Sequence, residues 1–393
     1  MQSTEEIIRT EHAPAADLRM PRLLIVGTGD LAQRVLIMAT QLVPDACFAV
    51  LGRNSDAAVR LANLATLGSV QSNRFTRVSA LVSDLGDVAQ SSEVIAHFKP
   101  DVIFNTASIQ PWYKLSELEA GKNERISAAH FGPWLPMHLA PALQLMRAVR
   151  DSGVNSVVVN AAFPDAVNPA LKTRGLSPTY GIGNVANSIP ALTLGAADLT
   201  GLQPADITVR MLAYHYVSHR LSRSGNTGTS PYHLEVTDKA GQTINTPSFD
   251  AELFALCQRE YRRLGGRTGQ DMTALSAMSV LGALLGGRPR LVHSPGFLGL
   301  PGAYPVELSQ WCGQLSLPTA VSAGQARAIN ELSGQSDGID GISDQGVISF
   351  TEESSDVMRE ELGFDCPQFT VDDVIEVAAE LKTLYDEYAV ERD

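Results

Sequence analysis

The chain has 393 residues, 44% hydrophobic and 19% charged, the balance of a soluble globular protein long enough for two domains. Its formal net charge of −13 argues against nucleic acid or an anionic membrane surface as a partner. The four cysteines, Cys47, Cys257, Cys312 and Cys366, lie far apart with no CxxC. They read as free thiols of a reducing, cytoplasmic setting, and no zinc site or disulfide framework is expected.

Residues 1–20, "MQSTEEIIRTEHAPAADLRM", are mixed in charge and lack an apolar stretch. They are expected to form a flexible arm with no signal peptide. No run of about 18 apolar residues occurs anywhere, so no membrane span is expected.

"RLLIVGTGDLAQRVLIMATQL" carries the clearest signal. An apolar strand, Leu23 to Val26, runs into Gly27-Thr28-Gly29-Asp30-Leu31-Ala32, and an apolar-periodic helix follows. This is GxGxxA between a strand and a helix. Gly27 suits the tight turn, Gly29 lets backbone approach a pyrophosphate, and Ala32 lets helix and strand pack closely. The next strand, "CFAVLGRN", ends in Arg53 and Asn54 where an NAD-binding fold would place a carboxylate. A guanidinium there fits a 2′-phosphate, which favours NADP(H) over NAD(H). Further apolar strands in "RVSALVSD", "DVIFNTAS" and "SVVVNAAF" alternate with helices and imply a parallel sheet. Ligands sit beyond the carboxyl ends of such strands, which puts Thr106, Ala107 and Asn160 near the cofactor.

Past Gly181 this alternation stops. Helices are expected over Ala191–Leu199, Ala251–Leu264 and Asp271–Leu285, with a hairpin insertion over Leu221–Ile244. "GQSDGIDGISDQG", Gly334 to Gly346, reads as a flexible surface turn, since its aspartates lack calcium-loop spacing. The tail is an amphipathic helix with Thr370 as its cap, suited equally to its own domain or to a second subunit. The expected architecture is α/β: an arm over 1–20, an N-terminal Rossmann-type doubly wound parallel sheet over 21–180, and a C-terminal α+β substrate domain over 181–393.

From about Pro21 to Gly363 the order of motifs resembles the lactate/malate dehydrogenase family. "IFNTASIQPWYKLSE" resembles its strand and substrate loop, "GLSPTYGIGNVANS" its catalytic-Asp segment and "ITVRMLAYHYVSHRL" its catalytic-His segment. The resemblance implies hydride transfer to or from nicotinamide with a His as proton carrier, and a dimer or tetramer. It makes His215 the catalytic His and Arg125 the carbonyl-polarising Arg. Asn187 falls where the Asp that orients the His should be. Pro190 falls where the carboxylate-clamping Arg should be. Arg174, Arg210 and His219 are the substitutes considered for that clamp.

An Asn can hold an imidazole but brings no charge, and the comparable change in serine proteases costs about 10⁴ in rate. The expectation is therefore an NAD(P)-dependent oxidoreductase acting on a small molecule outside the usual 2-keto acids, of biosynthetic type. The alternatives are a catalytically inactive nucleotide-binding sensor and an opine- or saccharopine-type dehydrogenase. His215 and His219 form an HxxxH pair. On a strand, as this stretch reads, they would stand about 13 Å apart, too far to share a metal. Trp112 and Trp134, with His130 and His138, suggest either loop packing or an aromatic lid over a bulky substrate.

Overall fold

The computed structural model describes residues 9–11, 20–43 and 45–390. The first half runs β1 (Arg9–Glu11), β2 (Arg22–Val26), α1 (Asp30–Leu42), β3 (Cys47–Gly52), α2 (Ser55–Gln71), β4 (Val78–Val82) and α3 (Val88–Phe98). It continues with β5 (Val102–Asn105), α4 (Ala120–Ser127), α5 (Leu135–Ser152), β6 (Val157–Asn160), α6 (Pro164–Lys172) and β7 (Tyr180–Gly181). Six of the strands pair in parallel in the order β4-β3-β2-β5-β6-β7, the doubly wound arrangement. Every residue of β5 and β6, and all but the first of β2, is buried. Helices cover both faces, so these strands read as unbroken apolar runs. The strand order reverses between β2 and β5, which opens a crevice at their carboxyl ends.

The second half runs α7 (Ile189–Thr200), β8 (Thr208–Leu212), α8 (His215–Ser224), β9 (His233–Thr237), α9 (Pro247–Glu260), α10 (Gln270–Leu284), β10 (Arg290–Pro295), β11 (Ala303–Ser309) and β12 (Cys312–Leu315). It closes with α11 (Ala323–Gln335), β13 (Ile339–Ile342), β14 (Val347–Phe350), α12 (Glu352–Leu362), β15 (Gln368–Thr370) and α13 (Val374–Val390). The hairpin expected over 221–244 forms only in its last part: after β9 the chain turns at 238–241 and returns antiparallel, with Thr237 bridged to Thr243 and Ile244 N–H donating to the Val236 carbonyl. β9 also pairs antiparallel with β8, which precedes that stretch, and residues 221–224 finish α8. The expected N-terminal arm contributes a strand, since β1 pairs with β12 at the edge of a four-stranded sheet. The rest of that arm lies outside the described residues.

The two halves share their cores. Ala277, Leu281 and Leu284 of α10 pack in one cluster with Val35 and Leu36 of α1. Ile348, Phe369 and Val374 pack with Leu139 and Leu143 of α5 on the other face of the sheet. The tail helix α13 thus docks on its own chain, against α5. Thr370 does not cap a backbone N–H; its hydroxyl donates to Asp373. Among the described residues, no helix is long and apolar enough to cross a membrane.

Candidate active site

A cavity of about 760 Å³ opens at the carboxyl ends of the strands. On the β3 side its wall is Gly27, Thr28, Gly29, Asp30, Leu31 and Arg53, joined by Thr106 and Ala107 after β5. Gly27 has φ +108°, and a Cβ there would stand 2.4 Å from Thr106 Oγ1. This is the tight turn, closed by Gly27 N–H donating to Leu51 O at 2.8 Å. A Cβ on Gly29 would meet nothing within 4 Å. Open space therefore faces the backbone at the uncapped N-terminus of α1, where free N–H groups and the helix dipole favour an anion. Asp30 holds Arg34 at 2.8 Å and Arg267 at 3.1 Å, tying this turn to the loop ahead of α10. Arg53 is exposed and makes no ion pair among the described residues.

On the β5–β6 side the cavity is buried and aromatic. α8 begins at His215, so His215, Ser218, His219, Ser222 and Arg223 recur at helical spacing, and all five line the cavity. His215 Nδ1 lies 3.0 and 3.1 Å from the two carboxylate oxygens of Asp337, a residue 2% exposed. Asp337 Oδ2 also accepts the Tyr216 backbone N–H at 2.7 Å. One carboxylate thus caps α8, whose own Tyr214 supplies no side-chain cap, and fixes the imidazole. Burial acts to lower the His215 pKa, but the charge and hydrogen bond of Asp337, with the charge of Asp165, outweigh it and the net shift is upward. His215 Nε2 makes no hydrogen bond among the described residues and is the nitrogen left to exchange a proton.

The rings of Phe131 and Phe163 lie 4.8 and 5.5 Å from that of His215. Phe163 and nearby His130 have φ of +44° and +58°, strained values for bulky residues beside the site. Burial, with the charge of His215, lowers the His138 pKa to about 4, and its Nδ1 is buried without a partner. His219 is held well below the ordinary range by burial and by His215, Arg223 and Arg263. Asp165, wholly buried, is pushed up to about 7 by burial, against the charge of His215 and a hydrogen bond from Asn184.

No family model and no curated protein sequence matches this chain. Solved structures do. A lactate dehydrogenase from Eimeria maxima, solved with NADH and oxamate, aligns over 96% of this chain and 100% of its own at TM-score 0.52 and 14% identity. A malate dehydrogenase from Aeropyrum pernix aligns over 80% and 97% at TM-score 0.55 and 10% identity. A lactate dehydrogenase from a Medee basin deep-sea metagenome library aligns over 81% and 97% at TM-score 0.52 and 12% identity. The chain has the lactate and malate dehydrogenase fold. At these identities the likeness speaks for the fold alone.

Within that fold the expected residues separate. Gly27, Thr28, Gly29, Asp30, Leu31, Arg53, Thr106 and Ala107 come together on the cavity wall, as does His215. Asn54 does not; its side chain caps α2 by accepting from Ala57 N–H. Asn160 lies behind the wall, bonded to Asn105, Asn168 and the 162 backbone, where it braces β5 against β6. Asn187 reaches the cavity but does not orient His215. Its amide donates to Thr273 at 3.1 Å, and Asp337 occupies the position expected for it. Arg125 lies off the cavity, because α4 packs on α12 and its guanidinium pairs with Glu361 at 2.9 Å. Pro190 is an exposed first-turn residue of α7. Arg174 pairs with Asp372 and Arg210 with Glu235, both away from the cavity.

The stretch read as a surface turn, Gly334 to Gly346, holds Asp337. Asp337 follows α11 and is fixed by Gly132 N–H donating to its carbonyl at 2.6 Å. The HxxxH pair sits on a helix instead of a strand, with ring centroids 4.4 Å apart. Among the described residues no group of three or more His, Cys, Asp or Glu could hold a metal. Trp112 lines the cavity with its ring edge-on to His219, while Trp134 is buried against Tyr385. His138, one of the residues expected in loop packing or an aromatic lid, also lines the cavity, as do Arg223 and Arg263, which carry no motif in the sequence.

Proposed function

We propose that the protein is an oxidoreductase that moves hydride between a nicotinamide cofactor and a carbonyl or imine carbon, with His215 carrying the proton. One observation supports this above the others: a His whose Nδ1 is fixed by a buried carboxylate stands in the cavity that begins at the glycine turn. The turn fits the cofactor, because Gly29 leaves open space against backbone at the α1 N-terminus. Gly27, Gly29 and that N-terminus would hold the pyrophosphate, and Arg53 would take a 2′-phosphate, favouring NADP(H). When bound, the cofactor supplies the two-electron donor or acceptor.

The chain's own residues do the rest. Asp337 sets the His215 tautomer, leaving Nε2 for proton exchange, and favours the charged ring. Charged His215 donates a proton to the substrate oxygen or nitrogen in the reducing direction, and neutral His215 removes it in the other. Phe131 and Phe163 keep water from the ring. The inactive-sensor reading rested on a missing carboxylate, and Asp337 supplies one.

The deciding test is fluorescence titration of the purified protein with NADPH and NADH, followed by carbonyl and imine compounds added to the loaded protein. Binding with NADPH preferred, then loss of reduced nucleotide on substrate addition, is the expected result. If neither nucleotide binds, the proposal fails.

A further inference from the structure

The cavity's two halves carry opposite resources. Among the described residues, the carboxylates that line the cavity, Asp30 and Asp84, stand on the cofactor side. Around His219 the lining is cationic: Arg223 from the last turn of α8 and Arg263 from the loop after α9. Arg263 is half-buried, and among the described residues its guanidinium donates one hydrogen bond, to the Asn187 carbonyl at 2.7 Å. Arg223 makes no hydrogen bond or ion pair among the described residues. A guanidinium has five donors, so most of this capacity is unspent in the protein. Half-burying the Arg263 cation without an anionic partner is costly, and the exposed Arg223 brings a second guanidinium to the same wall, which together make a site for an anion.

The position of these arginines bears on the substrate. Pro190, where a clamp for a carboxylate next to the reacting carbon would stand, is exposed and off the cavity. His215 and Arg223 are eight residues apart on one helix, about 12 Å at the helical rise. Between them stand His219 and, edge-on to it, Trp112, which present flat, largely apolar surface. We infer that the substrate is an extended oxo or hydroxy compound with an apolar middle. Its anionic group, carboxylate or phosphate, lies several bonds from the reacting carbon and is held by Arg223 and Arg263. This rests on the oxidoreductase reading above.

The test measures binding to the nucleotide-loaded protein by thermal shift. The probes are pyruvate, levulinate, longer methyl-ketone homologues of levulinate, the methyl esters of those acids and phosphonates of matching length. The longer anionic ketones should bind about tenfold or more tightly than pyruvate or than their own esters. A stronger response to carboxylate or to phosphonate identifies the anion. Arg223→Gln and Arg263→Gln should each weaken the anionic ketones about tenfold, with ester and NADPH binding left within about twofold. Arg223→Gln breaks no contact within the protein, so its result stands even if Arg263→Gln folds poorly. Equal binding of acid and ester, a preference for pyruvate, or weaker NADPH binding in the variants would overturn the inference. If a nucleotide binds and no anionic ketone does, this inference falls and the oxidoreductase reading stands; if no nucleotide binds, both fall.

Discussion

The two sides of the cavity are built by different rules. The β3 side is nearly all local. Gly27 to Leu31 are consecutive, and one strand, turn and helix carry them, with distant residues such as Leu51 and Arg267 bracing the turn. The β5–β6 side is assembled from afar. His215 comes after β8, Asp337 after α11, Phe163 before α6, and Arg263 between α9 and α10. His215 and Asp337 are 122 residues apart, yet the proposed proton transfer depends on their contact. A local site tolerates change elsewhere in the chain, whereas an assembled one depends on each element that feeds it.

The largest test of this contrast is Asp337→Asn. It keeps the shape but removes the charge and allows the wrong tautomer, so turnover should fall on the order of 10³–10⁴, as for the comparable triad change. NADPH affinity should hardly move, since the glycine turn is untouched. Stability also carries a signature. Because the folded His215 pKa is raised above 6.5, the stabilisation from its charged form is complete below that pH. It is lost as pH rises through the folded value. The gap in Tm between wild type and variant should therefore be widest in mild acid and narrow in alkali. A variant with normal turnover, or one that loses NADPH binding first, would show that the two sides are not separable.

Asp165→Asn probes the cost of the assembled side. Burial lifts the Asp165 pKa from 3.8 to about 7, so ionising it opposes folding. That penalty grows as pH rises from 3.8 to about 7 and is complete above it. The shift corresponds to at most about 4 kcal/mol. The neutral variant should therefore gain Tm over wild type across this window and keep the gain at higher pH. A gain confined to acid pH would have the wrong sign and would remove Asp165 from the account.

The local side breaks differently. Gly27→Ala forces φ +108° on a residue with a Cβ and drives that Cβ onto Thr106. It should cost about 1–3 kcal/mol of stability, read by denaturant titration. Gly29→Val, whose Cβ meets open space, should leave Tm unchanged and weaken NADPH. If both variants lose stability alike, the space beside Gly29 is not a ligand's.

How much of this was legible follows from the same distinction. The glycine turn, the parallel sheet and the tail helix follow local periodicity and could be read from the sequence. His215 could be placed by the order of motifs, but its backbone could not. Tyr214, Tyr216 and Val217 favour a strand by propensity, and the distant cap from Asp337 makes a helix of it. Asp337 itself sits among glycines and serines and had no sequence signal beyond the apolar Ile339 and Ile342 that follow. Arg125 was placed by motif order alone, and the packing of α4 on α12 takes it elsewhere. Asn54 is misplaced for a local reason, its cap on α2, whereas His215, Asp337 and Arg125 are set by partners far along the chain.

Arg53 gives the smallest effect and the finest discrimination. It is exposed and has no ion pair, so Arg53→Ala should leave Tm unchanged and remove only what the guanidinium gives a ligand. An exposed charge-assisted contact to a 2′-phosphate corresponds to about tenfold in affinity. Titration should then show NADPH weakened about that much, with NADH unchanged. Equal weakening of both nucleotides would mean that Arg53 serves the cofactor's shared phosphates. No change in either would take it out of the site and leave the preference to the α1 turn, where nothing distinguishes the two nucleotides.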